Sequence, residues 1–352
     1  MVSTRRARQS IDPGGPVERV AIIGAGAWGT TLALVAHRAG RAVTLVTHRS
    51  ELASHLIARR AHPASLPGVR IPEDIDVTVD VPAAVRSADV VIVAVPAQSL
   101  RAALTPYALN LSGTPMISAV KGLELDTLHR PTEVIAEIVQ QVSGGALCAL
   151  SGPNLASEIA RGQPATTVIA SKDTAIALAV QAALSSSTFR VYVSNDIVGA
   201  EMGGALKNII AIGAGICDGM RAGDNAKAAF LTRGMSEIAR LGIACGADAL
   251  TFAGLTGIGD VIATCSSPLS RNHRVGQALA GGKSLPEVLD AMGEVAEGVP
   301  TTRAAHQLGR RMGIELPIID QTYEVLFRGK SPVAAIESLM DREAGREYAP
   351  PL

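Results

Sequence analysis

A run of mainly apolar residues, Val17–Ile23, passes directly into Gly24-Ala25-Gly26-Ala27-Trp28-Gly29 and then into a helix-patterned segment to about Ala39, closed by Gly40. No other feature of the chain restricts its fold as much. Three glycines at this spacing, after a strand and at the opening of a helix, form the phosphate cradle of a dinucleotide-binding βαβ unit. Gly24 permits the tight turn, Gly26 lets the backbone approach a pyrophosphate, and Gly29 lets helix pack closely on strand. The first N–H groups of the helix then face the anion. The same spacing alone also describes a glycine-rich turn that binds nothing; the flanking strand and helix separate the two readings.

Further strands are expected at Ala42–Thr47, Val77–Val79, Val90–Ala94, Met116–Ser118, Ala146–Leu150, Ala165–Ala170 and Phe189–Val193, each short, apolar and read as buried. Stretches long enough for helices separate most of them, among them Pro131–Val142 and Thr174–Leu184. Strands alternating with helices predict an α/β fold with a Rossmann-type, doubly wound, mainly parallel sheet. From Asp196 onward the pattern is helical, broken by Gly and Pro, with no convincing β run. The 352 residues exceed what one core usually supports. The chain therefore divides into a disordered tail (1–16), a dinucleotide-binding domain (17–195) and an all-α C-terminal domain (196–352) carrying substrate and catalysis.

Composition narrows the function classes. Lys plus Arg equals Asp plus Glu at 32 each, which argues against nucleic acid or an anionic membrane surface as a general partner. Cys148, Cys217, Cys245 and Cys265 form no CxxC pair, so neither a zinc site nor a disulfide framework is suggested, and no metal is expected. They read as small, buried, reduced side chains, in keeping with a cytoplasmic protein. Arg5, Arg6 and Arg8 precede no apolar segment, so the start reads as neither a secretory nor a twin-arginine signal. Polar residues interrupt the longest apolar stretches before they reach spanning length, so no stable membrane insertion is expected.

The cofactor is indicated at the end of the second strand, where Thr47 is followed by His48-Arg49-Ser50-Glu51. NAD-selective folds usually place an acid there for the ribose hydroxyls, whereas Arg accommodates a 2′-phosphate. His48 and Arg49 point to NADPH, unless both are solvated surface residues. With a shifted loop Glu51 would serve a ribose, so NADH stays open.

Two lysines stand out by their surroundings. Lys121, in Ala119-Val120-Lys121-Gly122, follows a strand at the carboxyl end of the sheet, where open α/β folds bind ligands. Lys207 sits in Gly203-Gly204-Ala205-Leu206-Lys207-Asn208, on a helix nearly free of charge. Either it snorkels to the surface, or desolvation prepares it for acid/base work. Farther on, Gly254-Leu255-Thr256-Gly257-Ile258-Gly259-Asp260 is a glycine-rich turn ending in an acid, and Ser270-Arg271-Asn272 opens a helix. With Ser270 as N-cap, Arg271 beside free N–H groups suits a phosphate monoester, or else it is an exposed arginine on an ordinary capped helix.

Together, GAGAWGT (24–30), AVKGLE (119–124), SGPN (151–154), GGALKNIIAIGAG (203–215), DNAKAAFLTRG (224–234), GLTGIGD (254–260), SRNHRVG (270–276) and EVAEGV (294–299) resemble, in order, the bacterial NAD(P)-dependent glycerol-3-phosphate dehydrogenases. The resemblance runs from about Val17 to about Lys330. It implies NAD(P)H-dependent, reversible reduction of dihydroxyacetone phosphate to sn-glycerol 3-phosphate, for the glycerol phosphate backbone of phospholipids, by a homodimer. It implies Lys207 as the proton donor and acceptor, and Lys121 as a contact of substrate and cofactor. Gly152, Asp260, Ser270, Arg271 and Asn272 match substrate positions, with Arg271 also near the cofactor. Trp28, His48, Arg49, Ala156, Val295 and Glu297 match cofactor positions beside Gly24, Gly26 and Gly29. Asn154 departs from the Thr or Ser usual there but retains hydrogen-bonding capacity.

Arg271, Ser270 and Asn272 would hold the phosphate, Lys207 would protonate the developing alkoxide, and Lys121 would stabilise it. Asp260 would balance the two cations. A hydroxyacid or 6-phosphogluconate type dehydrogenase shares the cradle and a helix lysine but leaves Ser-Arg-Asn and GLTGIGD unexplained. A non-catalytic NADPH sensor has no use for the lysines, and a methyltransferase none for Arg49 or the second domain.

Overall fold

The structure, a computed structural model, describes residues 16–139, 147–292 and 295–343. The tail and the Glu294 end of the EVAEGV motif lie outside the described residues except at Pro16. So do Ala146 and the final turn expected for the Pro131–Val142 helix.

Short runs of Val, Ile and Ala give eight strands: β1 (Arg19–Ile23), β2 (Ala42–Val46), β3 (Asp76–Thr78), β4 (Val90–Val93), β5 (Met116–Ser118), β6 (Leu147–Ser151), β7 (Ala165–Ala170) and β8 (Phe189–Ser194). They lie in one sheet in the order β3-β2-β1-β4-β5-β6-β7-β8. All neighbours are parallel except β6 and β7, which run antiparallel. The expected mainly parallel, doubly wound sheet is therefore present. Its chain order reverses between β1 and β4, the switch point outside which such sheets bind ligands.

The expectation that every strand is buried fails at the edges. β3 is partly exposed, and β8 alternates buried Phe189 and Val191 with exposed Arg190 and Tyr192. An edge strand has one unpaired side and is covered on fewer faces than the central ones. β1, β4 and β5 are buried almost throughout, as a sheet covered by helices on both faces requires.

Five helices besides α1 (Ala27–Arg38) bear on the site: α2 (Ser50–Arg59), α3 (Ile197–Gly219), α4 (Asp260–Ser266), α5 (Arg271–Ala280) and α6 (Gly298–Met312). After β8 the described residues form no strand. Asp196 ends the sheet region and caps α3 by accepting from Gly199 N at 2.8 Å. α3 is the axis of the helical part, buried from Gly199 to Cys217. Where α5 crosses it, Cβ atoms on Gly215 or Gly276 would strike the other helix's backbone. That contact brings Asn272 beside Asn208.

Two sequence expectations need correction. α3 is long and apolar enough to cross a membrane, as is the stretch Ala249–Ser266, so the apolar runs do reach spanning length. The first is almost wholly buried inside the protein and is a core helix, with its charged Glu201 and Lys207 paired internally. Cys245 is only partly buried, unlike Cys148, Cys217 and Cys265. It lies at the C-terminal end of helix Asp224–Ala244, where packing thins.

Candidate active site

The cradle sits at the carboxyl ends of β1, β2 and β4. Gly24, at φ 113°, donates to the Val46 carbonyl at 2.9 Å. A Cβ there would strike the Ala94 carbonyl beyond β4, and one on Gly29 would strike the Gly24 carbonyl. A Cβ on Gly26 would meet nothing within 4 Å among the described residues. The first and third glycines thus serve packing, while the second borders the open space a pyrophosphate needs. α1 begins without a side-chain cap or an acid in its first turn, leaving its leading N–H groups to an anion.

The other expected cofactor positions lie on several elements of the chain. Trp28 packs against the main core, and its buried indole Nε1 has no partner among the described residues. The Thr31 hydroxyl donates to the Ala156 carbonyl at 3.1 Å, tying α1 to Ala156. His48 and Arg49 are exposed just past the end of β2, the strand next to β1. Their exposure suits a solvent-facing ribose phosphate. Glu297, immediately before α6, accepts from Ala97 N at 3.1 Å, and a Cβ on Gly122 would lie 3.3 Å from its other oxygen. Burial pushes its carboxyl up to about 7, against the pull of the Ala97 N–H and of Arg271. Its buried Oε2 has no partner among the described residues. Open space at Gly26 and unpartnered polar atoms on Trp28 and Glu297 fit a dinucleotide stretched between them. Val295 is about half exposed, two residues before Glu297.

Beyond β5, three charged side chains converge. Lys121 Nζ donates to Asp260 Oδ2 at 2.6 Å and to the Gly152 carbonyl at 2.9 Å. Lys207 Nζ donates to Asp260 Oδ1 at 2.8 Å and to the Thr264 hydroxyl at 2.5 Å. Asp260 is 1% exposed and Lys207 6%, so Lys207 does not snorkel. Burial by itself would raise the Asp260 carboxyl, but the ammoniums of Lys121 and Lys207 outweigh it and hold the acid below its ordinary range. Burial and the neighbouring Lys207 bring Lys121 down to about 8, while Asp260 opposes them. One carboxylate between two cations leaves a net positive charge, suited to an oxyanion or a phosphate ester.

The local fold explains the convergence. Residues Leu255–Gly259 form a π-helical turn before α4, a wide turn common at functional sites. It aims the first residue of α4, Asp260, inward. Gly203, on α3, has no room for a Cβ against the Thr256 carbonyl, so turn and helix pack backbone to backbone.

At the start of α5, Ser270 caps the helix by accepting from His273 N at 3.2 Å. Asn272 is buried, donating to Asn208 Oδ1 at 2.8 Å and accepting from Gly298 N at 2.9 Å. Arg271 is exposed. Asn154 donates to the Thr166 carbonyl at 3.0 Å and accepts from Thr167 Oγ1 at 2.9 Å. Its side chain braces the SGPN turn on β7, and the two bonds use about half of its capacity. Gly152, at φ 147°, has its carbonyl on Lys121.

Two participants escaped the sequence reading, Thr264 and Asn208. Both carry a local signal: Thr264 is four residues past Asp260, one turn along the same helix face, and Asn208 directly follows Lys207.

The chain matches the family models described as NAD-dependent glycerol-3-phosphate dehydrogenase N-terminus, over residues 19–177, and C-terminus, over residues 196–337. It is 44% identical over 330 residues to the glycerol-3-phosphate dehydrogenase (NAD(P)+) of Streptomyces griseus, covering 94% of this chain and 98% of that one. The enzyme of the same name from Moorella thermoacetica is 46% identical over 333 residues, with coverage of 94% and 98%. Among solved structures, the crystal structure of glycerol-3-phosphate dehydrogenase from Coxiella burnetii superposes with a TM-score of 0.88 at 33% identity. It covers 92% of this chain and 99% of that one.

Proposed function

The chain belongs to the NAD-dependent glycerol-3-phosphate dehydrogenase family, and from that premise we propose how its own residues carry out the reversible reduction of dihydroxyacetone phosphate to sn-glycerol 3-phosphate. The product is the glycerol phosphate backbone of phospholipids. The observation that carries the reading is the Lys121–Asp260–Lys207 cluster across the sheet's carboxyl edge from the glycine cradle. Residues 17–195 hold the dinucleotide, and residues 196–352 supply most of the substrate site.

NADPH is the expected cofactor, with NADH also accepted; the bound nicotinamide supplies the hydride. Gly26 and the start of α1 receive its pyrophosphate, with Gly24 and Gly29 shaping the turn. Arg49 and His48 receive the 2′-phosphate, and Trp28, Ala156, Val295 and Glu297 line its path. Ser270, Arg271 and Asn272 hold the substrate phosphate at the start of α5, where N–H groups and the guanidinium add. Asn154 and Gly152 border the same space. As charge grows on the carbonyl oxygen, Lys207 donates its Nζ proton to it and Lys121 lends a second positive charge. Asp260 and Thr264 orient Lys207, and Asp260 is left to both ammoniums once the substrate is gone. Two copies related by a two-fold axis are the proposed assembly.

The test is the loss of NADPH absorbance when purified protein meets dihydroxyacetone phosphate, with NADH in parallel. Loss that requires the phosphate, and is absent with dihydroxyacetone, supports reaction and phosphate site together. No loss despite NADPH binding would overturn the substrate assignment and keep only the dinucleotide site.

A further inference from the structure

His62 lies outside every motif considered above, yet its ring touches the cradle. Its Nε2 is 3.1 Å from the Ala25 carbonyl, the peptide that links the first two cradle glycines. Its Nδ1 accepts from the backbone N–H of Ala64, at 3.3 Å, and of Ser65, at 3.1 Å. A carbonyl only accepts and an amide N–H only donates, so the network assigns the proton to Nε2 and leaves Nδ1 bare. These contacts commit both ring nitrogens to the Nε2–H arrangement.

The ring is also fixed from behind. α2 ends at Arg60 in a left-handed conformation, φ 49°. The loop that follows closes on itself, with Ala61 bridged to Arg70 and Ile71 N donating to the Arg60 carbonyl at 2.8 Å. Arg60 Nη1 donates to the Ile75 carbonyl at 2.8 Å. Leu66, Val69, Ile71 and Ile75 sink into the same core cluster as Ala25.

Within a trans peptide the C=O and N–H point in opposite directions. Holding the Ala25 carbonyl toward His62 therefore aims the Gly26 N–H away from it, toward the open side of Gly26. We propose that His62 is a positioning residue for the dinucleotide: as the Nε2–H tautomer it clamps the Ala25–Gly26 peptide so that the Gly26 N–H is preset toward the pyrophosphate. This inference rests on the cofactor site proposed above. Its effect belongs to cofactor affinity, because His62 touches neither lysine nor the phosphate turn of α5. Without His62 the Ala25 carbonyl keeps the long contact from the Thr30 hydroxyl at 3.5 Å, so more of the peptide's ordering falls at binding, a cost a preset loop avoids.

The single tryptophan, Trp28, lies in the same turn and reports binding by quenching of its fluorescence on titration with NADPH. His62→Ala should raise the NADPH dissociation constant about five- to tenfold, the value of one lost hydrogen bond. At saturating NADPH its kcat should stay within about twofold of the parent, a split that general loss of structure would not produce. His62→Asn, which retains an N–H donor and an acceptor, should recover part of the affinity. Unchanged affinity in His62→Ala, or equal losses in kcat and affinity, would overturn the proposal. Long-range nitrogen–proton NMR of histidine-labelled enzyme needs no variant: protonation of Nδ1 in place of Nε2 at neutral pH would also overturn it. Failure of the parent protein to bind NADPH would instead sink the cofactor reading itself.

Discussion

Lys121 and Lys207, one from a loop of the sheet and one from the central helix, grip opposite oxygens of the same buried carboxylate, Asp260, at 2.6 and 2.8 Å. The two parts of the chain thus meet at their most reactive groups. Their roles differ by geometry: Lys207 has a second partner in Thr264, whereas Lys121 is held by the Gly152 carbonyl. Lys207→Ala removes the proton donor but leaves Asp260 paired with Lys121, so the variant should fold. Turnover should fall by two to four orders of magnitude, roughly the range for a general acid. NADPH affinity, measured by fluorescence, should barely change. Asp260→Asn leaves two ammoniums facing each other in a buried site and should cost about 3–5 kcal/mol of stability. Near-parental turnover in Lys207→Ala would refute the assignment.

Lys121 supplies a pH dependence. Burial and Lys207 bring its ammonium down to about 8, against the support of Asp260. Its charge stabilises the alkoxide only while protonated, so the reduction rate should decline as pH rises through about 8. Lys121→Arg keeps its charge far above that pH. The variant should be slower, because a planar guanidinium does not reproduce the ammonium's contacts, but its alkaline decline should move to higher pH. An identical decline in both enzymes would assign it to another group.

How much of this was legible in the sequence varies with the range of the interactions involved. The cradle was readable because three glycines, a strand and a helix are contiguous, and each carries a local steric demand. Lys121, Lys207, Asp260 and the Ser270–Asn272 turn were each visible as oddities in an apolar or glycine-rich setting. That one carboxylate serves both lysines was not visible, because it depends on how α3, α4 and β5 pack. Thr264 and Asn208 escaped for lack of any charge. His62 escaped because its partner is a backbone carbonyl far away in sequence. The apolar reach of α3 was underestimated: Lys207 and Glu201 look like interruptions, yet the helix is apolar enough to reach spanning length, and the two are buried in pairs with Asp260 and Arg130.

The cradle glycines should separate folding from binding. A Cβ on Gly24 strikes the Ala94 carbonyl at a φ of 113°, so Gly24→Ala should destabilise the sheet domain by several kcal/mol, about the sum of a backbone clash and strain. At Gly26 no described residue lies within 4 Å of a Cβ, so Gly26→Ala should change the unliganded thermal midpoint far less than Gly24→Ala. Its side chain would occupy the pyrophosphate space and weaken NADPH binding by at least about tenfold. The check is thermal unfolding of both variants with and without NADPH. Equal destabilisation of the unliganded proteins would contradict the division of roles.

Arg49 and His48 are exposed beyond β2, where a ribose 2′-phosphate would meet them. Arg49→Ala should raise KM for NADPH about tenfold or more, the value of a charge-assisted contact, and leave KM for NADH within about twofold. Parallel shifts for both cofactors would remove Arg49 from phosphate recognition.

Glu237, far from the chemistry, should govern how stability depends on pH. It is buried on helix Asp224–Ala244 and accepts from the first N–H groups of helix Pro317–Phe327, Ile318 N at 2.7 Å and Ile319 N at 3.1 Å. Burial pushes its carboxyl up to about 7, more than those two N–H groups pull it down. Below the unfolded value of 4.5 both states hold the proton; between 4.5 and about 7 the folded state holds it and the unfolded chain does not. The stability this adds is complete at low pH and is lost as pH rises through about 7, an effect of roughly 3–4 kcal/mol at about 1.4 kcal/mol per unit. Glu297 and Glu201 are raised by burial too and act with the same sign, so the comparison must be made against the parent. Glu237→Gln still offers an oxygen to the helix start and cannot ionise. Urea unfolding at pH 5.5 and 8.0 should show the parent losing more stability across that interval than the variant. Equal losses would mean that the Glu237 carboxyl is already ionised in the folded protein at pH 5.5.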